Sequence, residues 1–125
     1  TVPELAERIE HIYDKVTFSC GSCHALWSEF QQKEIYRVLV VGIEAHVCVQ
    51  QTVFDLLTAG MRVYLAVDAI GARYDVDYQT ALRRMDSAGA TLTTTEAAIF
   101  EWCERSDIPE FKTVSKRIQQ TPPEV

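Results

Sequence analysis

The 125-residue chain has no apolar stretch long enough to span a bilayer, so nothing in it reads as a transmembrane helix. It has no basic surplus either. Twelve Lys and Arg stand against 18 Asp and Glu, a formal net charge of -6. That balance disfavours a nucleic-acid surface, and Arg83-Arg84 and Lys116-Arg117 are short pairs that read as solvated helix faces. Internal repeats, low-complexity segments and linkers are lacking, which predicts one domain over residues 1–125. Thr1-Val2-Pro3-Glu4 lacks the basic-then-apolar pattern of a secretory leader. Cysteine is limited to Cys20, Cys23, Cys48 and Cys103. A chain of this size with good periodicity needs no disulfide framework, so the thiols point to a reducing, cytoplasmic compartment.

What is present is strong periodicity. Pro3 suits a helix start, followed by a partial apolar stripe of Leu5, Ile9 and Ile12. Tyr13–Ser19 is rich in β-formers and predicts a short strand. Residues 23–33 predict a helix with Leu26, Trp27 and Phe30 on one face. Ile35–Val41 is a continuous apolar run, expected to be a strand buried on both faces. Val49, Val53, Leu56 and Leu57 form a helix stripe ending at Gly60. Met61–Val67 predicts the next buried strand, ending at Asp68. Tyr78, Ala81, Leu82 and Met85 predict a helix, and Ala90–Leu92 a short strand. Thr93 and Glu96 have capping-box spacing before a helix through Cys103. Pro109–Gln120 predicts a last helix with Phe111, Val114 and Ile118 inward, stopped by Pro122-Pro123. Strands alternating with amphipathic helices imply βαβ units, hence a three-layer α/β/α domain on a mostly parallel, Rossmann-like sheet. Chemistry in such sheets gathers at the C-terminal strand ends, here Gly42–Cys48 and Asp68–Arg73.

Gly42-Ile43-Glu44-Ala45-His46-Val47-Cys48-Val49, with Gln51-Thr52, places a thiol at a strand-to-helix turn. Unpaired N–H groups and the helix dipole there favour a thiolate. The segment resembles the nucleophile motif of the isochorismatase-like cysteine hydrolases, in their isochorismatase-domain-containing branch. Lys15-Val16-Thr17-Phe18-Ser19, Val67-Asp68-Ala69 with Arg73, Ser87-Ala88-Gly89, Thr93–Ala97 and Pro109–Lys112 extend the likeness over nearly the whole chain. The resemblance implies Cys48 as nucleophile and Lys15 as the triad lysine. It implies a cis peptide at Ile43-Glu44 and an oxyanion hole from the backbone N–H groups of Glu44 and Cys48. Phe18 and His46 become candidate pocket residues. The implied substrate is a small amide-like or isochorismate-like molecule, with no cofactor and no metal, in a homo-oligomer. Isochorismatase itself cleaves a vinyl ether without the cysteine, so the family does not fix the reaction.

The resemblance leaves the family's first strand, first helix and second strand without counterpart, and with them the triad aspartate. Asp14 and Glu10 are poor substitutes, and the chain reads as N-terminally incomplete. Two other functions stay open: an inert family member serving as an interaction module, and thiol redox chemistry at Cys20/Cys23. Cys20-Gly21-Ser22-Cys23-His24 also fits a haem-attachment pattern, which the α/β pattern opposes. Zinc would need ligands beyond His11 and His24. Asp68 is expected to hydrogen-bond a helix N-terminus, and Trp27 and Trp102 to be core or interface residues.

Overall fold

Leu65, Met85, Val53 and Val63 are the largest fully buried side chains, and they define where the two main layers meet. Each such side chain contributes about 1.5–3 kcal/mol on burial. The computed structural model describes residues 2–120. Three strands, β1 (Arg37–Ile43), β2 (Arg62–Gly71) and β3 (Thr91–Thr93), form a parallel sheet in that order. Six α-helices accompany them: α1 (Pro3–Ala6), α2 (His24–Gln32), α3 (Gln50–Thr58), α4 (Asp75–Ser87), α5 (Thr95–Cys103) and α6 (Pro109–Gln120).

Side chains alternate across a strand, so Val63 and Leu65 share one face of β2 while Tyr64 and Ala66 share the other. On the first face Val53 and Leu56 of α3 and Ala81 and Met85 of α4 close the main core, with Trp27 and Phe30 of α2 packed at its margin. On the second face lies α5, whose buried Ala98 borders a cleft with Leu39, Tyr64 and Thr93. Phe111 of α6 packs against Phe100 of α5. Helices therefore lie on both faces of a parallel sheet, the expected three-layer arrangement.

The register is not uniform. Val40 pairs with Leu65, but Gly42 pairs with Ile70 and Ile43 with Gly71. β2 thus bulges outward around Asp68 and runs on to Gly71, past the end expected from its apolar run. β1 is an edge strand with one paired side, and Val41 and Ile43 are 52% and 78% exposed. Burial of β1 on both faces does not hold here.

Residues 2–19 depart furthest from their pattern. The first helix is a single turn, and Leu5, Ile9 and Ile12 are exposed. Tyr13–Ser19 is irregular, with bends over Val16–Ser19, and forms no strand. Its carbonyls are taken locally: Lys15 Nζ donates to Thr17 O (2.9 Å) and Phe18 O (2.7 Å), and Thr17 Oγ1 to Ser19 O (2.8 Å). Tyr13 and Lys33 both hydrogen-bond Glu29, and these bonds hold the Glu29 carboxyl below the ordinary carboxylate range. α5 begins one residue later than the capping pattern implies, because Thr94, not Thr93, accepts from Ala97 N. Trp102 is 70% exposed, so it is not a core residue. Pro122-Pro123 lie outside the described residues.

A tight 3₁₀ turn, Cys20–Ser22, docks on α3. Ser19 Oγ donates to Asp55 Oδ2 (2.5 Å) and accepts from Gly21 N (2.8 Å), while Cys20 N donates to Thr52 Oγ1 (3.0 Å). A Cβ on Gly21 would fall well inside contact distance of Asp55 Oδ2. Gly21→Ala must therefore displace Asp55 from Ser19. We expect a loss of about 1–3 kcal/mol in urea unfolding, and a smaller loss in an Asp55→Ala background.

Candidate active site

β1 reaches its last residue, Ile43, and the chain turns through Glu44 (φ 16°, ψ 92°) into a five-residue π-helical turn, Ala45–Val49, which leads straight into α3. Glu44 O accepts from Val47 N (3.0 Å) and Val49 N (3.3 Å), closing the turn. Ala45 and Val49 are buried in the main core and pin it from below. Gly42 takes φ +135°, a conformation that disfavours any side chain, at the register break with β2. Cys48 stands on this turn, half-buried and a free thiol, at the C-terminal end of β1. The expected cis peptide at Ile43-Glu44 is not found: no cis bond occurs among the described residues. The backbone of Glu44 and the positive φ of Gly42 reverse the chain with trans peptides. Cys48 also precedes α3 proper, on the wider π turn.

Around this turn the structure assembles a polar cluster that the sequence pattern did not disclose. Arg73 Nε lies 3.3 Å from Glu44 Oε1, and His46 Nδ1 lies 3.7 Å from Glu44 Oε2. The other ring nitrogen of His46 is 3.8 Å from Asp77 Oδ2 on the first turn of α4. His46 is thus wedged between two carboxylates, neither capping α3 nor facing open solvent. Only the adjacency of Glu44 and His46 is visible along the chain. Arg73 comes from the β2–α4 connection, in the strand-end stretch that the sequence singles out, and Asp77 from the first turn of α4; that they meet Glu44 and His46 is shown only by the fold.

Two other expected site residues, Lys15 and Phe18, lie on the irregular segment before Cys20. Lys15 is exposed, its ammonium held by the Thr17 and Phe18 carbonyls, and it lines a hollow with Asp14, Val16, Ser22 and Cys23. Phe18 is exposed on the same bends. No hydrogen bond joins Lys15 to Cys48 among the described residues. The segment that carries both residues is not a strand, so the alternation that would aim them is missing. Cys23 does begin α2, and Cys20 and Cys23 are both free thiols. His11 lies near Glu10 and Glu29, and no group of three or more metal-binding side chains occurs among the described residues.

Asp68 takes the structural role expected of it. Its carboxylate accepts from Thr95 N (2.8 Å) and from the Thr95 hydroxyl at the start of α5. Partial burial pushes this carboxyl up, but the Thr95 hydroxyl and amide together outweigh it and hold it below the usual range.

A parallel α/β domain with a cysteine on the strand-to-helix turn at its C-terminal edge defines a class of site suited to nucleophilic chemistry. The comparisons narrow the class. The isochorismatase domain model matches residues 1–97, and the chain belongs to the isochorismatase family. Isochorismatase domain-containing protein 2 of Bos taurus is 35% identical over 99% of the chain and 60% of its own length. A secreted isochorismatase effector, Isc1, of Phytophthora sojae is 36% identical over 96% of the chain and 60% of its own length. The solved structure of a MAR1 ribonuclease from Caenorhabditis elegans superposes with a TM-score of 0.86 at 43% identity, covering all of this chain and 65% of that one. The chain therefore spans about 60% of the length of the curated relatives it matches.

Asp68→Asn should lower stability by about 0.3–1 kcal/mol at neutral pH, since a carboxylate at a helix N-terminus contributes that much. The wild-type contribution is present above the ordinary Asp range and is lost as pH falls through the depressed folded value. The gap between the two proteins in urea unfolding should then close on acidification.

Proposed function

We propose that this chain carries the nucleophile of an isochorismatase-type cysteine hydrolase acting on a small amide-like molecule. The observation that supports this best is Cys48 on the π turn at the end of β1, with buried Ala45 and Val49 anchoring its backbone. In this reading the Cys48 thiolate attacks the substrate carbonyl carbon. A C–S bond forms and the carbonyl π electrons move to oxygen. The N–H groups of Glu44 and Cys48 serve as the oxyanion hole. Collapse of the adduct expels the amine, which takes up the proton released when the thiol ionised, and leaves a thioester. Water then cleaves the thioester, releasing the acid and restoring the thiol.

Lys15 is assigned to this chemistry on the family resemblance alone, and so is Phe18 as a pocket residue. The triad aspartate has no counterpart in residues 1–125, and the reading places it in the part of the relatives that this chain does not span. A homo-oligomer and a cytoplasmic location belong to the same proposal, although the Phytophthora relative is named as secreted. Among the described residues, no helix is long and apolar enough to cross a membrane.

A second reading, RNA hydrolysis, is favoured by the name of the nematode protein and opposed by the net charge of -6. The full-length protein should be assayed against a panel of small primary amides and against RNA. We expect release of ammonia from at least one amide, and a fall in kcat/KM of about a thousandfold or more in Cys48→Ala. RNA cleavage without amide turnover would favour the second reading. An unchanged rate in Cys48→Ala would exclude the cysteine mechanism, and no turnover at all would favour an inert interaction module.

A further inference from the structure

Among the described residues, two buried polar atoms on the elbow have no hydrogen-bond partner: Glu44 Oε2 and His46 Nδ1. They face one another at 3.7 Å. A bare buried polar group is costly, and here two lie side by side. One proton answers both. With Nδ1 protonated, Oε2 gains a donor beside it, and closing the gap by about 0.8 Å gives an ordinary hydrogen-bond distance. Across the ring, Nε2 stands 3.8 Å from Asp77 Oδ2. A neutral imidazole donates from one nitrogen only, so only the imidazolium serves both carboxylates.

The charged groups facing the ring come from three places. Glu44 lies at the end of β1, Asp77 on α4, and Arg73 on the connection between β2 and α4, where it holds the other oxygen of Glu44. Cys48 lies two residues along the same turn. Among the described residues α3 supplies no ion pair to His46.

We propose that His46 is a positioning residue for Cys48, an imidazolium strut that ties the nucleophile turn to α4 through Glu44 and Asp77. The inference rests on Cys48 being the nucleophile. Protonated, the ring braces the turn from both sides. Deprotonated, it can donate to only one of the two carboxylates and leaves the other facing a bare nitrogen, so the brace is one-sided. Cys48 reactivity then depends on a second ionisation of opposite sense to its own, because the thiol must lose its proton while the imidazole keeps one.

The test is the pH profile of Cys48 alkylation by iodoacetamide in the full-length protein, with ¹⁵N shifts of the His46 ring as a separate readout. The wild type should show a limb that falls with rising pH superimposed on the rise of the thiolate. His46→Gln should lose that limb and react roughly tenfold or more slowly at the wild-type optimum. Asp77→Asn should move both the limb and the ring titration to lower pH. Selective wild-type alkylation with His46→Gln and Asp77→Asn profiles superimposed on it would overturn the strut and leave the nucleophile standing. An unreactive Cys48 with a His46 titration that still moves in Asp77→Asn would instead overturn the nucleophile and support the pairing. A ring titration indifferent to Asp77→Asn would overturn the pairing itself.

Discussion

The turn from β1 into α3 is the constraint on which the other features depend. Ala45 and Val49 are buried on either side of Cys48, and Glu44 O takes two amides, so the backbone between them has little freedom. The same turn forces Gly42 into a positive φ and coincides with the register break that makes β2 bulge. That bulge places Asp68 at the start of α5, tying the sheet to that helix through one carboxylate. A thiol placed here does not need a mobile loop to be presented. It is fixed by the core, which is what an oriented nucleophile requires.

The two sides of this elbow are unequally built. On the α4 side, Arg73, Glu44, His46 and Asp77 form a continuous row of polar side chains around the turn. On the side of residues 11–19, Lys15 and Phe18 stand exposed on an irregular segment whose carbonyls accept from its own side chains. The main core, between the sheet and α3 and α4, is well filled. The outer margin of β1 leaves Val41 and Ile43 open, and Trp102 of α5 lies exposed beyond the same sheet face. The chemistry proposed for Cys48 therefore draws on a half of the site that is braced and a half that rests on family likeness.

Legibility from sequence follows the same division. β1, α3, β2 and α4 are readable because their apolar periods match contacts made within this chain: Val53 and Leu56 do face Val63 and Leu65. The isochorismatase resemblance is carried by Gly42–Thr52, a segment whose residues also meet in space. The helix start at Pro3 is found but spans one turn, and the strand expected over Tyr13–Ser19 does not form, because β-formers such as Val16 make a strand only beside a pairing partner and none is paired with them among the described residues. The cis peptide fails because it came from the family likeness alone, with nothing in the Ile43-Glu44 pair itself to favour it. The Glu44–His46–Asp77–Arg73 cluster is hidden because two separate stretches, 44–46 and 73–77, contribute its members and none stands out by type. Asp68 is legible, since a carboxylate at a strand end beside a Thr-rich helix start has one obvious set of donors.

The most direct measurement is peptide-level mapping of thiol reactivity in the native full-length protein, at limiting iodoacetamide, across Cys20, Cys23, Cys48 and Cys103. An activated nucleophile on an anchored turn requires Cys48 to be modified first and largely alone, and that preference to vanish when the protein is unfolded in urea before labelling. Uniform modification of the four thiols in the native protein, or preferential modification of Cys20 and Cys23, would contradict it.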